Sequence, residues 1–140
     1  IISISTTMKT LYIVRGLPGS GKSSLAKKVT QLVYSADDFF TNKKGEYNFN
    51  AKLLGKAHEW CWGKVRDAMF IGAEAVAVAN TFTQAWEAEK YYQIAEEYGY
   101  SVFVIECQND FGNVHDVPQE SIDAMKERWE KDLTPVANLS

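Results

Sequence analysis

Gly16-Leu17-Pro18-Gly19-Ser20-Gly21-Lys22-Ser23 is the stretch that decides the fold. It fits GxxxxGK[ST] at every fixed position, the phosphate-binding P-loop pattern. The flanks supply the context such a pattern needs. Upstream, residues 10–14 (Thr-Leu-Tyr-Ile-Val) form a short apolar run that ends at a glycine turn and reads as a buried strand. Downstream, Leu25, Val29 and Leu32 share one face of a helix predicted over residues 22–31.

Each residue type in the loop has a chemical reason. The glycines let successive backbone N–H groups converge on phosphate oxygens without Cβ clashes. The helix that starts near Lys22 adds its positive N-terminal end. A lysine at this position reaches the β- and γ-phosphates, and the hydroxyl of Ser23 is a ligand for Mg²⁺. The expected cofactors are therefore ATP, or GTP, with Mg²⁺. The expected nucleotide-binding set is Gly16, Leu17, Pro18, Gly19, Ser20, Gly21, Lys22, Ser23 and Ser24.

The rest of the chain repeats the strand–helix alternation. Residues 32–35 read as a second strand ending at Asp37-Asp38, and 39–50 as a polar loop. Asn50 is a good cap for a long helix over 51–71, with Leu54, Ala57, Cys61, Val65 and Ala68 on its apolar face. Residues 75–79 form a third strand and 85–98 a third helix, with Gly99 as its stop. A fourth strand covers 101–106. Pro118 opens a last helix whose stripe is Ile122, Met125, Trp129 and Leu133.

This order predicts an α/β fold of the P-loop kinase type. It has a parallel sheet of about four to five strands, helices on both faces and right-handed crossovers. Ligands in such sheets sit beyond the carboxyl ends of the strands. The polar turns at 16–23, 35–40, 80–83 and 107–117 fall there. The expected organisation is a tag or flexible extension over 1–8, one domain over 9–134 and a tail over 135–140.

Bulk composition narrows the partners. A formal charge of −3 argues against strong non-specific DNA binding, which needs clustered Lys and Arg. It leaves open a nucleic-acid end as a transient substrate. No apolar run approaches a membrane span, so no membrane partner is expected. Cys61 and Cys107 suit small buried residues in a reducing, cytoplasmic setting.

Asp37 and Asp38 end the second strand beside the P-loop. A carboxylate there could take the proton of an acceptor hydroxyl attacking the γ-phosphate. The pair could equally cap and turn the chain, and spacing alone does not choose. Here a resemblance adds to the residues. The P-loop with Ser35-Ala36-Asp37-Asp38-Phe39-Phe40, Ala57-His58-Glu59-Trp60, Asn80-Thr81-Phe82-Thr83-Gln84-Ala85-Trp86-Glu87 and Val117-Pro118 resembles the polynucleotide-kinase-like branch of P-loop kinases. It looks like the small phage and cellular AAA-type members, over about residues 10–132.

The resemblance implies that Asp37 is the general base for a 5′-hydroxyl of DNA or RNA, that Asp37 helps Ser23 hold Mg²⁺, and that Asn80-Thr81 lies beside nucleotide and acceptor. The chain departs from that family in two places. Ala79 puts no carboxylate at the end of the third strand, and neither Phe40 nor the loop 107–117 supplies the usual arginine. The three arginines of the chain are Arg15, Arg66 and Arg128. Arg128 ranks first as the clamp on the transferring phosphoryl group, with a surface salt bridge to Glu127 or Glu130 as its other reading, and Arg15 reads as a strut under the P-loop.

The catalytic set expected is thus Lys22, Asp37 and Arg128. The expected activity is ATP-dependent transfer of the γ-phosphate to a hydroxyl, at a polynucleotide 5′-end or nucleoside-type acceptor. A small-molecule kinase and a nucleotide-binding module with weak ATPase activity are the alternatives. His58, Trp62 and Arg66 share one helix stripe and line either an acceptor groove or a plain helix edge. Phe39 and Phe40 either stack a base or pack internally. His115 either touches phosphate or belongs to a polar turn. Trp86 and Trp129 read as core residues.

Overall fold

The computed structural model describes residues 8–109 and 117–135. Four strands, β1 (Thr10–Gly16), β2 (Val33–Tyr34), β3 (Ala75–Asn80) and β4 (Ser101–Cys107), form one sheet. The order is β2-β3-β1-β4 and every pairing is parallel. The helices are α1 (Lys22–Val29), α2 (Leu54–Phe70), α3 (Ala85–Tyr98) and α4 (Gln119–Glu127).

Alternation along the two central strands builds two cores. Leu11 and Ile13 of β1 and Val76 and Val78 of β3 face α2 and α3, where Cys61, Val65, Tyr91 and Ile94 complete the larger cluster. Val14, Ala77 and Ala79 face the other way, onto Ala26 of α1. The alanines of β3 keep that side thin, so α1 packs close to the sheet. Both faces of β3 are covered, which is why it reads as an unbroken apolar run.

Several boundaries differ from the sequence expectation. The first helix stops at Val29 because Thr30 is extended, with φ of −158°. Its hydroxyl donates to the Ala75 carbonyl at 2.9 Å, which turns the chain into a two-residue β2. The long helix opens with a 3₁₀ turn, Ala51–Leu53, capped by the Asn50 side chain, which accepts from the Lys52 N–H at 3.1 Å.

The polar loop 39–50 contains a small hairpin. Thr41 pairs with Tyr47, and the Asn42 side chain accepts from the N–H groups of Lys44 and Glu46 at 2.9 and 3.0 Å. The last helix stops at Glu127, so Trp129 and Leu133 lie in the segment after it; Leu133 still fills the larger core at 2% exposure. Trp86 is not a core residue. It is 69% exposed, because the buried face of α3 is Ala88, Tyr91, Ile94 and Ala95, and Trp86 lies off that face.

Gly99 ends α3 in the left-handed region, as expected. Residues 1–7 of the expected extension 1–8, residues 110–116 with His115, and 136–140 lie outside the described residues. No helix among the described residues is long and apolar enough to cross a membrane.

Candidate nucleotide and acceptor site

The P-loop joins β1 to α1 at the carboxyl edge of the sheet. Gly19 and Gly21 hold φ of 80° and 84°, a region L side chains avoid, and this curls the loop amides inward. Gly16 is needed for space instead. A Cβ there would overlap Ser20 Oγ and lie 3.1 Å from the Cys107 carbonyl. Gly16→Ala is therefore expected to destabilise the fold by about 1–3 kcal/mol, the usual cost of overpacking. Urea unfolding checks this, and a midpoint equal to wild type would show that the loop yields freely.

The Asp turn is set by its own capping. Ser35 is the N-cap of the 3₁₀ segment Ala36–Phe40, and its side chain accepts from the Asp37 N–H at 3.2 Å. The Asp38 carboxylate turns back and accepts from the Ser35 N–H at 3.1 Å. Burial pushes the Asp38 carboxyl up from its ordinary range. Asp38 is thus the structural member of the pair, while Asp37 faces the cleft. Asn80, at the end of β3, binds this turn to the sheet. Its Oδ1 accepts from Ser35 Oγ at 3.2 Å and from the Ala36 N–H at 2.9 Å.

These contacts bring the P-loop, the Asp turn and the Asn80-Thr81 turn around one cleft of about 570 Å³. Pro18, Gly19, Gly21, Lys22, Ser23, Ser24, Asp37 and Arg128 line it. Burial lowers the Lys22 ammonium from its ordinary range, and the Asp37 carboxylate opposes that shift. Leu17 faces a smaller hollow of about 310 Å³ with Cys107, Gln108 and Trp129.

His58 reaches the cleft, but its stripe partners do not. Trp62 packs against the larger core with Lys90 over its ring, and Arg66 is not among the lining residues. Phe40 is buried, with Phe39 packed beside it, so neither offers a free stacking face.

Arg15 is 1% exposed. Its guanidinium donates to the Phe82 carbonyl at 3.0 and 2.6 Å and to the Lys131 carbonyl at 3.3 Å, pairs with Glu106 at 3.6 Å and lies over the Trp129 ring at 4.0 Å. It holds Phe82 in a left-handed conformation, φ 46°, at the turn after Asn80. Arg128 is exposed, and its Nε donates to Thr83 Oγ1 at 3.1 Å.

Some cleft residues were missed in the sequence. Glu87 brings a carboxylate to the cleft from the first turn of α3, where it accepts from the Gln84 N–H at 2.8 Å and from the Thr83 hydroxyl. The Gln84–Glu87 spacing is the capping-box signal that could have found it. Tyr47, Phe49 and Leu54 form the far wall. The Tyr47 hydroxyl donates to Asp37 Oδ1 at 3.2 Å, and burial next to that carboxylate pushes the phenol up to about 12.

Among the described residues no group of three or more His, Cys, Asp or Glu side chains could hold a metal by itself. The donors at hand are oxygens: the Ser23 hydroxyl and the Asp37 and Glu87 carboxylates. That donor chemistry suits Mg²⁺, which keeps several waters and shares itself with substrate phosphates.

Comparison with known proteins identifies the family and the fold. A family model described as an AAA domain matches residues 11–111. NEDD4-binding protein 2 of Homo sapiens is 33% identical over 135 residues, 86% of this chain and 8% of that protein. Uncharacterized protein PM0531 of Pasteurella multocida (strain Pm70) is 29% identical over 82% of this chain and 73% of its own length. The chain thus spans a small part of the human relative and most of the bacterial one.

Among solved structures, a gluconokinase from Sinorhizobium meliloti 1021 superposes with a TM-score of 0.55 at 12% identity, over 94% of this chain and 79% of that one. The APS kinase of Mycobacterium tuberculosis gives 0.52 at 16% identity, over 86% and 94%. At such identities the likeness concerns the fold. From β1 to the end of β4, the chain belongs to the AAA domain family, built on the P-loop kinase fold.

Proposed function

We propose that this protein is a nucleotide-dependent phosphotransferase. It moves the γ-phosphoryl group of ATP, or GTP, to a hydroxyl of a polynucleotide 5′-end or a nucleoside-type acceptor. One observation carries the reading: Lys22 of the P-loop and Asp37 line the same cleft, which extends past them to a wall of Tyr47, Phe49, Leu54 and His58. That wall supports the reading because it gives the cleft room for an acceptor beside the phosphate loop.

The proposed steps use the side chains that line the cleft. Loop amides and Lys22 hold the triphosphate. Asp37 takes the proton of the acceptor hydroxyl as its oxygen attacks the γ-phosphorus; the bond to the β-phosphate oxygen breaks and the nucleoside diphosphate leaves. Ser23 and Asp37 would hold Mg²⁺, which would supply positive charge against the triphosphate. Arg128 supplies the positive charge that the transferred group gathers in the transition state.

Arg128→Ala is expected to slow single-turnover transfer at saturating ATP by more than about tenfold, 1.36 kcal/mol of barrier. Arg66→Ala, outside the cleft, should leave it unchanged. Full activity in both variants would leave the charge to Lys22, the backbone amides and metal.

The acceptor itself is tested with labelled ATP against 5′-hydroxyl oligonucleotides, nucleosides and small polyols. The formal charge of −3 favours a small-molecule acceptor as the second reading. Transfer to polyols alone would establish it, and phosphate release without transfer to any acceptor would mark an ATPase.

A further inference from the structure

The following rests on the polynucleotide-type acceptor and names the group that holds it. Phe49 is 53% exposed and Leu54 41% exposed, yet both stand in the cleft that holds Asp37. Single exposed apolar residues on a surface need no explanation. Two that line the same cleft as the P-loop lysine and Asp37 are placed to meet a ligand there.

Phe49 is also well supported. Its ring meets Phe40 in an edge contact at 5.1 Å, and Phe40 is itself held edge-on by Phe39 at 5.4 Å. The Asn48 N–H donates to the Phe40 carbonyl at 2.9 Å on one side of it, and Asn50 caps the next turn on the other. Among the described residues no ring stacks on Phe49. The Phe40 contact holds one edge of the ring, so less side-chain freedom is left for a ligand to remove.

The surroundings give the charge of the ligand. Residues 39–56, which hold the hairpin and the start of α2, contain four lysines against one carboxylate, in a chain of net charge −3. Lys43 and Lys44 at the hairpin and Lys52 and Lys56 at the start of α2 are exposed, and among the described residues none is in an ion pair. The acceptor end is the basic end of an acidic molecule. A hydroxyl at Asp37, a flat ring at Phe49 and anions at the hairpin are together the parts of a nucleotide in a polynucleotide chain.

We infer that Phe49 is the stacking platform for the base of the nucleotide that carries the attacking hydroxyl, with the lysines around the hairpin meeting the phosphates that follow. Base–aromatic stacking tolerates any sequence, because every base has a π-face. The acceptor would then be chosen by its end and not by its sequence.

The test compares two 5′-hydroxyl oligonucleotides that differ only at the first nucleotide, which carries a base in one and is abasic in the other. Transfer from labelled ATP is measured for wild type, Phe49→Ala, Phe49→Leu and Phe49→Trp. On the base-bearing oligonucleotide, Phe49→Ala and Phe49→Leu should lower kcat/KM by about ten- to a hundredfold, the worth of one stacked base. On the abasic one they should change it by less than about twofold, wild type should itself be slower there, and Phe49→Trp should keep the preference.

Phe49→Leu keeps apolar bulk and so separates stacking from folding, with the KM for ATP as the check on the intact P-loop. Equal losses on both oligonucleotides would overturn the stacking role while leaving the polynucleotide reading in place. Transfer to a small polyol but to neither oligonucleotide would overturn both.

Discussion

Asp37→Asn is expected to cut transfer by about 10²–10⁴, the usual worth of a general base, and to leave nucleotide affinity close to wild type. The asparagine keeps the shape of the side chain and can still accept from the Tyr47 hydroxyl, so the cleft wall stays in place. What it loses is the ability to take a proton. Asp38→Asn should cost far less in rate. The Asp38 carboxylate accepts from the Ser35 N–H, and an amide oxygen at the same place still caps that turn.

Single-turnover transfer at saturating ATP, with nucleotide affinity measured separately, distinguishes the two variants. Exchanged phenotypes would mean that the catalytic carboxylate is Asp38 and that the capping contact breaks on substrate binding. Two active variants would remove the general base from the mechanism and leave positioning and charge as its whole content.

Lys22→Ala should abolish stabilisation by nucleotide. A ligand at a hundredfold excess over its Kd adds about 2.7 kcal/mol to the folded state, which raises the Tm of a chain this size by roughly 5–15 °C. Lys22 is the cation of the P-loop that lines the cleft, and burial already works against its charge. Phosphate oxygens relieve that cost, so ammonium and triphosphate stabilise each other. Without the lysine, the melting temperature should stay flat on addition of ATP and Mg²⁺. A wild-type shift in the variant would move the triphosphate away from this loop.

The fold was legible in the sequence wherever local chemistry was sufficient. The P-loop glycines, the apolar run of β3 and the stop at Gly99 are local signals, and the structure follows them. Failures came where a residue takes its role from a distant partner. Trp86 is apolar and aromatic, but the face of α3 that is buried was decided by the sheet beneath it. Trp129 left its helix to lie on Arg15, more than a hundred residues back along the chain. The cleft wall at Tyr47, Phe49 and Leu54 was hidden for a different reason. Its loop is rich in Asn, Lys and Gly, and only the closing of the Asn42 turn brings its aromatic residues to Asp37.

The contacts of Arg15 reach past the end of the family match. The family match stops at residue 111, and a chain cut there would retain all four strands, the P-loop and the Asp turn. It would also lose the Trp129 ring, the Lys131 carbonyl and Leu133, and so leave the Arg15 guanidinium with only its Phe82, Thr83 and Glu106 partners and an opening in the larger core. Recombinant pieces of this protein, or of longer proteins that contain such a unit, should therefore be trimmed no closer than residue 133, well beyond the last strand.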